Sequence, residues 1–137
     1  MSVLQTHMGE LSQLLIDTIK DAEVSQNVYI EHGPAVDDTT PDDFCIVSYP
    51  LTLRHKGPIQ LHDVRIELVV KDLKSKRANI IGIEDRMNKL LAKFPIVGDR
   101  HTLSNPYLRL KGEDGLGHTS WTLQCDCIVN TTDAIGY

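Results

Sequence analysis

The chain has 137 residues, is 41% hydrophobic and carries a net charge of −5, which is typical of one globular domain with its own core. No apolar run approaches the roughly 20 residues that cross a bilayer, and the N-terminus lacks the basic and apolar regions of a signal peptide. We therefore expect a soluble protein that is made in a cytoplasm and has no membrane partner.

The negative charge is concentrated in one segment, residues 31–43. This segment lacks Lys and Arg, and its acidic residues are Glu31, Asp37, Asp38, Asp42 and Asp43. The rest of the chain carries equal numbers of acidic and basic residues, so the protein is a nearly neutral body with one acidic loop. An ordinary nucleic-acid binder needs the opposite, a basic face that neutralises phosphates.

Two segments have the apolar periodicity of amphipathic helices. The first spans residues 3–23 with Ser2 as its N-cap, and the second spans 75–94 with Ser75 as its N-cap. The apolar stripe of the first helix contains Leu4, Met8, Leu11, Leu14, Leu15, Ile16 and Ile19. The stripe of the second contains Ile80, Ile83, Met87, Leu90, Leu91 and Phe94.

Five segments predict strands: residues 27–31, 44–54, 59–73, 106–111 and 118–130. A short turn joins the second and third strands as an antiparallel hairpin. Pro50 cannot donate a hydrogen bond in a sheet, so it indicates an edge or a bulge in the second strand. Residues 96–105 form a looser stretch, and 130–137 form a weakly held tail.

These elements indicate an α+β fold, in which two amphipathic helices pack on a mainly antiparallel sheet. Their order along the chain is α-β-β-β-α-β-β. The sequence contains no internal repeat and no second core, so we expect one domain over residues 1–137.

The residues that usually carry out chemistry lack the spacing that catalysis or metal binding needs. The sequence has no GxSxG motif, and its six histidines are scattered along the chain. Cys125 and Cys127 lie two residues apart on one strand face, so we expect them, like Cys45, to be buried reduced thiols. Neither four convergent zinc ligands nor the spacing of a calcium loop is present. We expect no enzymatic activity, no cofactor and no metal site.

A basic cluster lies between the long third strand and the second helix. It consists of Lys71, Lys74, Lys76 and Arg77. One interpretation is a solvated loop. The other is a surface that complements the acidic loop of a neighbouring copy, because opposite charges set the register between subunits and a ring needs such head-to-tail contacts.

The segments that characterise the chain as a whole are VLQTHMGELSQLLIDTI, VYIEHG with the loop after it, DVRIELVVKDL, ANIIGIEDRMNKLLAKF and HTSWTLQCDCIVN. In order and length they resemble the tail terminator (tail completion) proteins of long-tailed bacteriophages. The resemblance covers nearly the whole chain. It is a resemblance of pattern without a signature motif, so it assigns no functional residue.

The resemblance implies a hexameric ring that caps the tail tube and joins it to the neck in the virion, around a channel for DNA. Its partners would be further copies of the chain, the tail tube protein and a neck or connector protein. The acidic loop would then face the channel, where DNA slides without phosphate anchoring, or meet the tube. A different connector or neck ring is one alternative. A small binding or enzymatic domain is another, and it would need a deep pocket with convergent polar groups.

Overall fold

A computed structural model of the chain describes residues 3–34, 39–49, 54–55, 59–113 and 117–129. Its helices are α1 (Val3–Asp21) and α2 (Ile80–Leu91). The strands in the first half of the chain are β1 (Val28–Ile30), β2 (Asp43–Ser48), β3 (Arg54–His55) and β4 (Ile59–Lys71). The strands in the second half are β5 (Ile96–Val97), β6 (His101–Glu113) and β7 (His118–Val129).

The described strands form one sheet in the order β1-β2-β4-β7-β6-β5, and β3 pairs with the beginning of β4. The sheet is mixed, because β1 lies parallel to β2, with Val28 opposite Cys45. This parallel pair corrects the prediction of a mainly antiparallel sheet. Its physical reason is the connection over residues 31–42, which has the dozen or so residues that a parallel crossover requires.

The predicted second strand, 44–54, is divided in the structure. Its first part is β2, which pairs with β4, and its last residue belongs to β3, which also pairs with β4 in an antiparallel hairpin. The predicted turn covers residues 55–58, of which His55 belongs to β3. Residues 56–58 lie outside the described residues, as do Pro50 and the predicted tail at 130–137. The predicted α-β-β-β-α-β-β order therefore gains two short strands, β3 and β5.

Bulges interrupt the alternation of side chains in the long strands β4 and β6. In β4 the register shifts between Leu61 and Val64, and Asp63 has a φ of 67°. In β6 it shifts between Ser104 and Tyr107 around Asn105, whose φ is 55°. A bulge inserts an extra residue and resets the alternation of side chains. The prediction of a loose stretch at residues 96–105 is therefore wrong, since these residues contain β5 and the beginning of β6.

Both helices bury one face against the sheet, as their apolar stripes predict. The fully buried side chains of α1 are Leu11, Leu15 and Ile19, and those of α2 are Ile83, Met87 and Leu90. They belong to one core cluster with Cys45, Val47, Ile66, Leu68 and Leu123 of the central strands. Burying a side chain of this kind stabilises the fold by about 1.5–3 kcal/mol.

The beginning of α2 corrects the predicted N-cap. Residues 72–77 form a turn instead of a first helical turn, and the N-cap is Asn79, whose Oδ1 accepts a hydrogen bond from the backbone N–H of Gly82 at 3.1 Å. Ser75 therefore lies outside the helix. Ser2, the predicted N-cap of α1, lies outside the described residues.

Strand β7 lies between β4 and β6 and is buried on both faces. Leu123, Cys125 and Cys127 belong to the core cluster beneath the helices. On the opposite face Thr122 and Gln124 are also buried. The Oε1 atom of Gln124 has no hydrogen-bond partner among the described residues.

Candidate functional site

The acidic loop is only partly described, because Asp37 and Asp38 lie outside the described residues. Glu31 begins the loop with a φ of 69° and is exposed. Its backbone N–H donates to the carbonyl of Val47 at 2.7 Å, and its Oε1 accepts from the N–H of Tyr49 at 3.2 Å. Glu31 therefore holds the start of the loop against the end of β2.

Asp43, at the other end of the loop, joins three parts of the fold. Its Oδ1 accepts a hydrogen bond from the hydroxyl of Ser25 at 2.5 Å, and its Oδ2 lies 3.0 Å from Nη1 of Arg86 on α2. Arg86 also donates to the carbonyl of Val24 at 3.3 Å. Both charged side chains are only 27% exposed. Asp43 thus ties the end of α1, the beginning of β2 and α2 together.

Asp42 has a different environment from Asp43. Its carboxylate is 82% exposed and lies 3.8 Å from Nζ of Lys71, which is 63% exposed. Ion pairs at this exposure contribute about 0–1 kcal/mol. One acidic and one basic residue of the two predicted clusters therefore meet within a single chain. For the other residues of the acidic loop and the basic cluster, a contact between neighbouring copies stays a prediction.

The rest of the basic cluster lies on an ordered turn between β4 and α2. The N–H of Leu73 donates to the carbonyl of Arg77, and the N–H of Lys76 donates to the carbonyl of Leu73, both at 2.8 Å. Lys74, Lys76 and Arg77 are exposed. No described carboxylate forms an ion pair with these three side chains. Their charges are presented to solvent from a fixed backbone.

Three exposed apolar side chains lie on or next to the same turn, and the sequence interpretation missed their exposure. Leu73 is 49% exposed, Ile80 is 42% exposed and Ile81 is 85% exposed. Ile80 had been assigned to the buried stripe of the second helix, and its exposure corrects that assignment. The available signal was Ile81, which is apolar but lies off the helical stripe. We call Leu73, Ile80 and Ile81, with Lys74, Lys76 and Arg77, the turn surface.

The three thiols are free and buried. Burial raises the pKa of each one, Cys45, Cys125 and Cys127, to about 12. A thiol with such a pKa stays protonated at neutral pH and is a poor nucleophile. Among the described residues, no group of three or more His, Cys, Asp or Glu side chains is arranged to hold a metal ion.

Neither helix in the described part of the chain is long and apolar enough to span a membrane.

No known family model matches the chain, and no curated protein matches it. Among solved structures, it is similar to a chain in the virion of a native gene transfer agent (GTA) particle. That match has a TM-score of 0.50 and 14% identity, and it covers 81% of this chain and 83% of the other. A second match is a chain from the sheath/tube terminator structure of PVC, an extracellular contractile injection system. It has a TM-score of 0.37 and 11% identity, and it covers 88% of this chain and 56% of the other. The first match shows a shared fold, and the second is too distant to support any inference.

Proposed function

We propose that this chain is a structural part of a phage tail or tail-like particle, and more specifically a tail terminator. In this role it forms a ring, hexameric in the simplest case, that caps the tail tube and joins it to the neck around the DNA channel. It acts in the virion at the junction of tail and neck, after assembly in the host cytoplasm. It has no catalytic step and needs no cofactor.

The observation that carries this proposal is the fold shared with a chain of a gene transfer agent virion across most of both chains. The order of helices and strands, which resembles tail terminators, supports the same class. The described thiols are buried and protonated at neutral pH, which suits a structural role better than nucleophilic catalysis.

The surface features support assembly with other proteins. The turn surface combines exposed apolar and basic side chains, and clustered apolar exposure marks interaction sites in proteins. The acidic loop is proposed to face the channel or the tube. Asp43 is engaged in the fold and only 27% exposed, so we assign the channel-facing charge to Asp37, Asp38, Asp42 and Glu31. Glu31 accepts a hydrogen bond from the N–H of Tyr49 but is exposed. An assembled ring with this loop on its outer rim would exclude that placement.

The test is binding to purified tail tubes of the same particle, observed by negative-stain electron microscopy. We expect the chain to form rings at one end of the tubes and to stop their further growth. A mixture of the chain with the portal or adaptor protein serves as the comparison. Binding to the portal or adaptor alone would favour another connector ring, and binding to neither would reject a role at the junction.

A further inference from the structure

The turn surface combines an apolar part with a positive charge. Ile81 is 85% exposed at the beginning of α2, and Leu73 and Ile80 are 49% and 42% exposed. Clustered apolar exposure is typical of a surface that is buried in an assembly. The three basic side chains of the surface form no ion pair with any described carboxylate. Phosphates alone would leave the apolar part uncovered, so this composition favours a protein segment that offers carboxylates together with apolar side chains.

The acidic loop has the matching composition. It carries five carboxylates and neither Lys nor Arg, and no other stretch of the same length has so large a net negative charge. Its acidic pair, Asp37 and Asp38, directly follows the apolar residues Ala35 and Val36. Opposite charges on two protein surfaces favour their association and set its register. The loop of a second copy therefore offers both the charge and the apolar side chains that the turn surface lacks.

The loop and the turn surface lie at the same end of the sheet. Asp43 of β2 is opposite Val70 of β4, and the N–H of Lys71 donates to the carbonyl of Asp42 at 2.7 Å. The acidic loop therefore enters β2 at the end of the sheet where β4 continues into the turn. In a ring all copies lie at the same height along the axis, so two different surfaces that meet between adjacent copies must lie at the same level of the fold.

The sheet separates the beginning of the loop from the turn surface of the same copy. Helix α2, which follows the turn, shares the core cluster with Cys45 and Val47 of β2. Successive side chains of a strand point to opposite faces, so Phe44 and Ile46 lie on the other face. The loop begins on that other face, since a Cβ atom at Gly33 would lie 2.8 Å from Cδ1 of Ile46. A second copy beside the first can bring a loop and a turn surface together.

We propose that the acidic loop of one copy packs on the turn surface of the next copy. The contact joins two different surfaces, so it is head-to-tail, as the contacts in a ring are. It lies at the wall of the proposed channel, where a carboxylate of the loop can face both the channel and a cation of the neighbouring copy. This inference rests on the proposed ring and specifies which surfaces of the chain form it.

The test uses two charge-reversed variants, each studied alone and then mixed in equal amounts. The loop variant carries Asp37→Lys and Asp38→Lys, and the turn variant carries Lys74→Glu and Arg77→Glu. Lys74 and Arg77 are exposed, and the turn is held through its backbone. Lys76 is left unchanged because its φ is 65°. Native mass spectrometry over a concentration series, with and without tail tube protein, measures assembly, and circular dichroism checks that both variants are folded.

We expect each variant alone to need at least about tenfold more protein for assembly, because like charges then face each other between copies. The mixture should assemble like the unmodified chain, with the two variants alternating around the ring, because each loop then meets a turn of opposite charge. Such recovery is specific to a contact between copies, since a second molecule cannot restore charges that pair within one chain. The control is Arg65→Glu with Arg109→Glu, an equal change at exposed sheet positions, which should leave assembly unchanged.

Normal assembly of each variant alone would overturn the inference, and so would a mixture that does not recover. If the turn variant assembles normally but loses binding to a short DNA duplex, the turn surface contacts nucleic acid and the inference is likewise wrong. Ring formation by the unmodified chain is measured in parallel. If the unmodified chain forms rings that neither reversal weakens, these surfaces are wrong and the proposed ring stands. If it forms no ring under any condition, the proposed function itself fails.

Discussion

Asp43 lies where β2 begins, and its carboxylate contacts both Ser25 and Arg86. Its neighbour Asp42 points to solvent, beside Lys71. The two residues have the same charge and adjacent positions, but only the carboxylate of Asp43 has two partners from other parts of the fold. Net charge along a sequence cannot separate these cases, because partial burial and the reach of Arg86 from α2 depend on the tertiary fold.

We expect Asp43→Ala to lower the free energy of unfolding by about 1.5–3 kcal/mol, the usual range for hydrogen bonds to a charged group. Partial exposure favours the lower end of that range. Asp42→Ala is the matched control and should change stability by less than about 0.5 kcal/mol. Urea unfolding followed by circular dichroism measures both. Equal effects of the two substitutions would contradict a structural role for Asp43.

The thiols give a prediction of reactivity and of pH dependence. Burial raises the pKa of Cys45, Cys125 and Cys127 from 9.0 to about 12, so the folded state holds these protons more tightly than the unfolded state does. The resulting stability is fully present below about pH 9 and is lost as the pH rises toward 12. We expect the free energy of unfolding to fall over this interval in denaturant titrations.

The same burial should protect the thiols from reagents. In the folded protein at about pH 8, we expect labelling with an aromatic disulfide reagent to be slow, and in denaturant we expect all three cysteines to react. Fast labelling of the folded chain would show that at least one thiol is accessible, contrary to the core position of these side chains.

At the scale of elements, the N-cap of α2 lies four residues later than the sequence pattern predicts, at Asn79 instead of Ser75. Ser75 and Asn79 are both suitable N-caps by residue type, so residue type does not decide between them. In the structure the chain makes a turn at 72–77, where Asp72 is held by a hydrogen bond from the hydroxyl of Thr119 at 2.8 Å. A contact with β7 therefore holds the start of the turn that precedes the helix, and local patterning could not reveal this contact.

Asn79→Ala should destabilise the protein by about 0.5–2 kcal/mol, because the N–H of Gly82 loses its side-chain acceptor. Ser75→Ala, at an exposed position of the turn, is the control and should have an effect below about 0.5 kcal/mol. Thermal or urea unfolding distinguishes the two variants. A larger loss of stability for Ser75→Ala than for Asn79→Ala would contradict this assignment and indicate that Ser75 is the N-cap.

The apolar stripes of both helices could be found from the sequence, because the helical repeat of large side chains survives any error at the helix ends. Strand β6 could not be found in full. Its bulge at Asn105 and Pro106 breaks the alternation that identifies a strand, so its first residues had the pattern of a loop. The parallel pairing of β1 and β2 was also not predicted, although the length of the acidic loop is compatible with it.

At the scale of the whole molecule, two helices against a sheet and one acidic segment followed from patterning and charge. The apolar part of the surface proposed to contact other proteins could not be predicted from patterning and charge. Ile81 lies off the apolar stripe of its helix in the sequence, but only the structure shows that it is 85% exposed and that Ile80 and Leu73 are exposed as well. A groove between α1 and β5 is lined by residues as far apart in the chain as Leu14 and Val97, so no local pattern predicts it. Surfaces of this kind depend on the arrangement of complete elements.

The central claim is that the chain assembles into a ring, and native mass spectrometry of the purified chain tests it most directly. Spectra would be recorded over a series of concentrations and, in parallel, with tail tube protein present. We expect one closed oligomer of defined stoichiometry, six copies in the simplest case, without a series of larger species. In a closed ring of head-to-tail contacts, no subunit has an unoccupied interface surface that could bind a further copy. A chain that remains monomeric at every concentration, with and without the tube protein, would contradict the account.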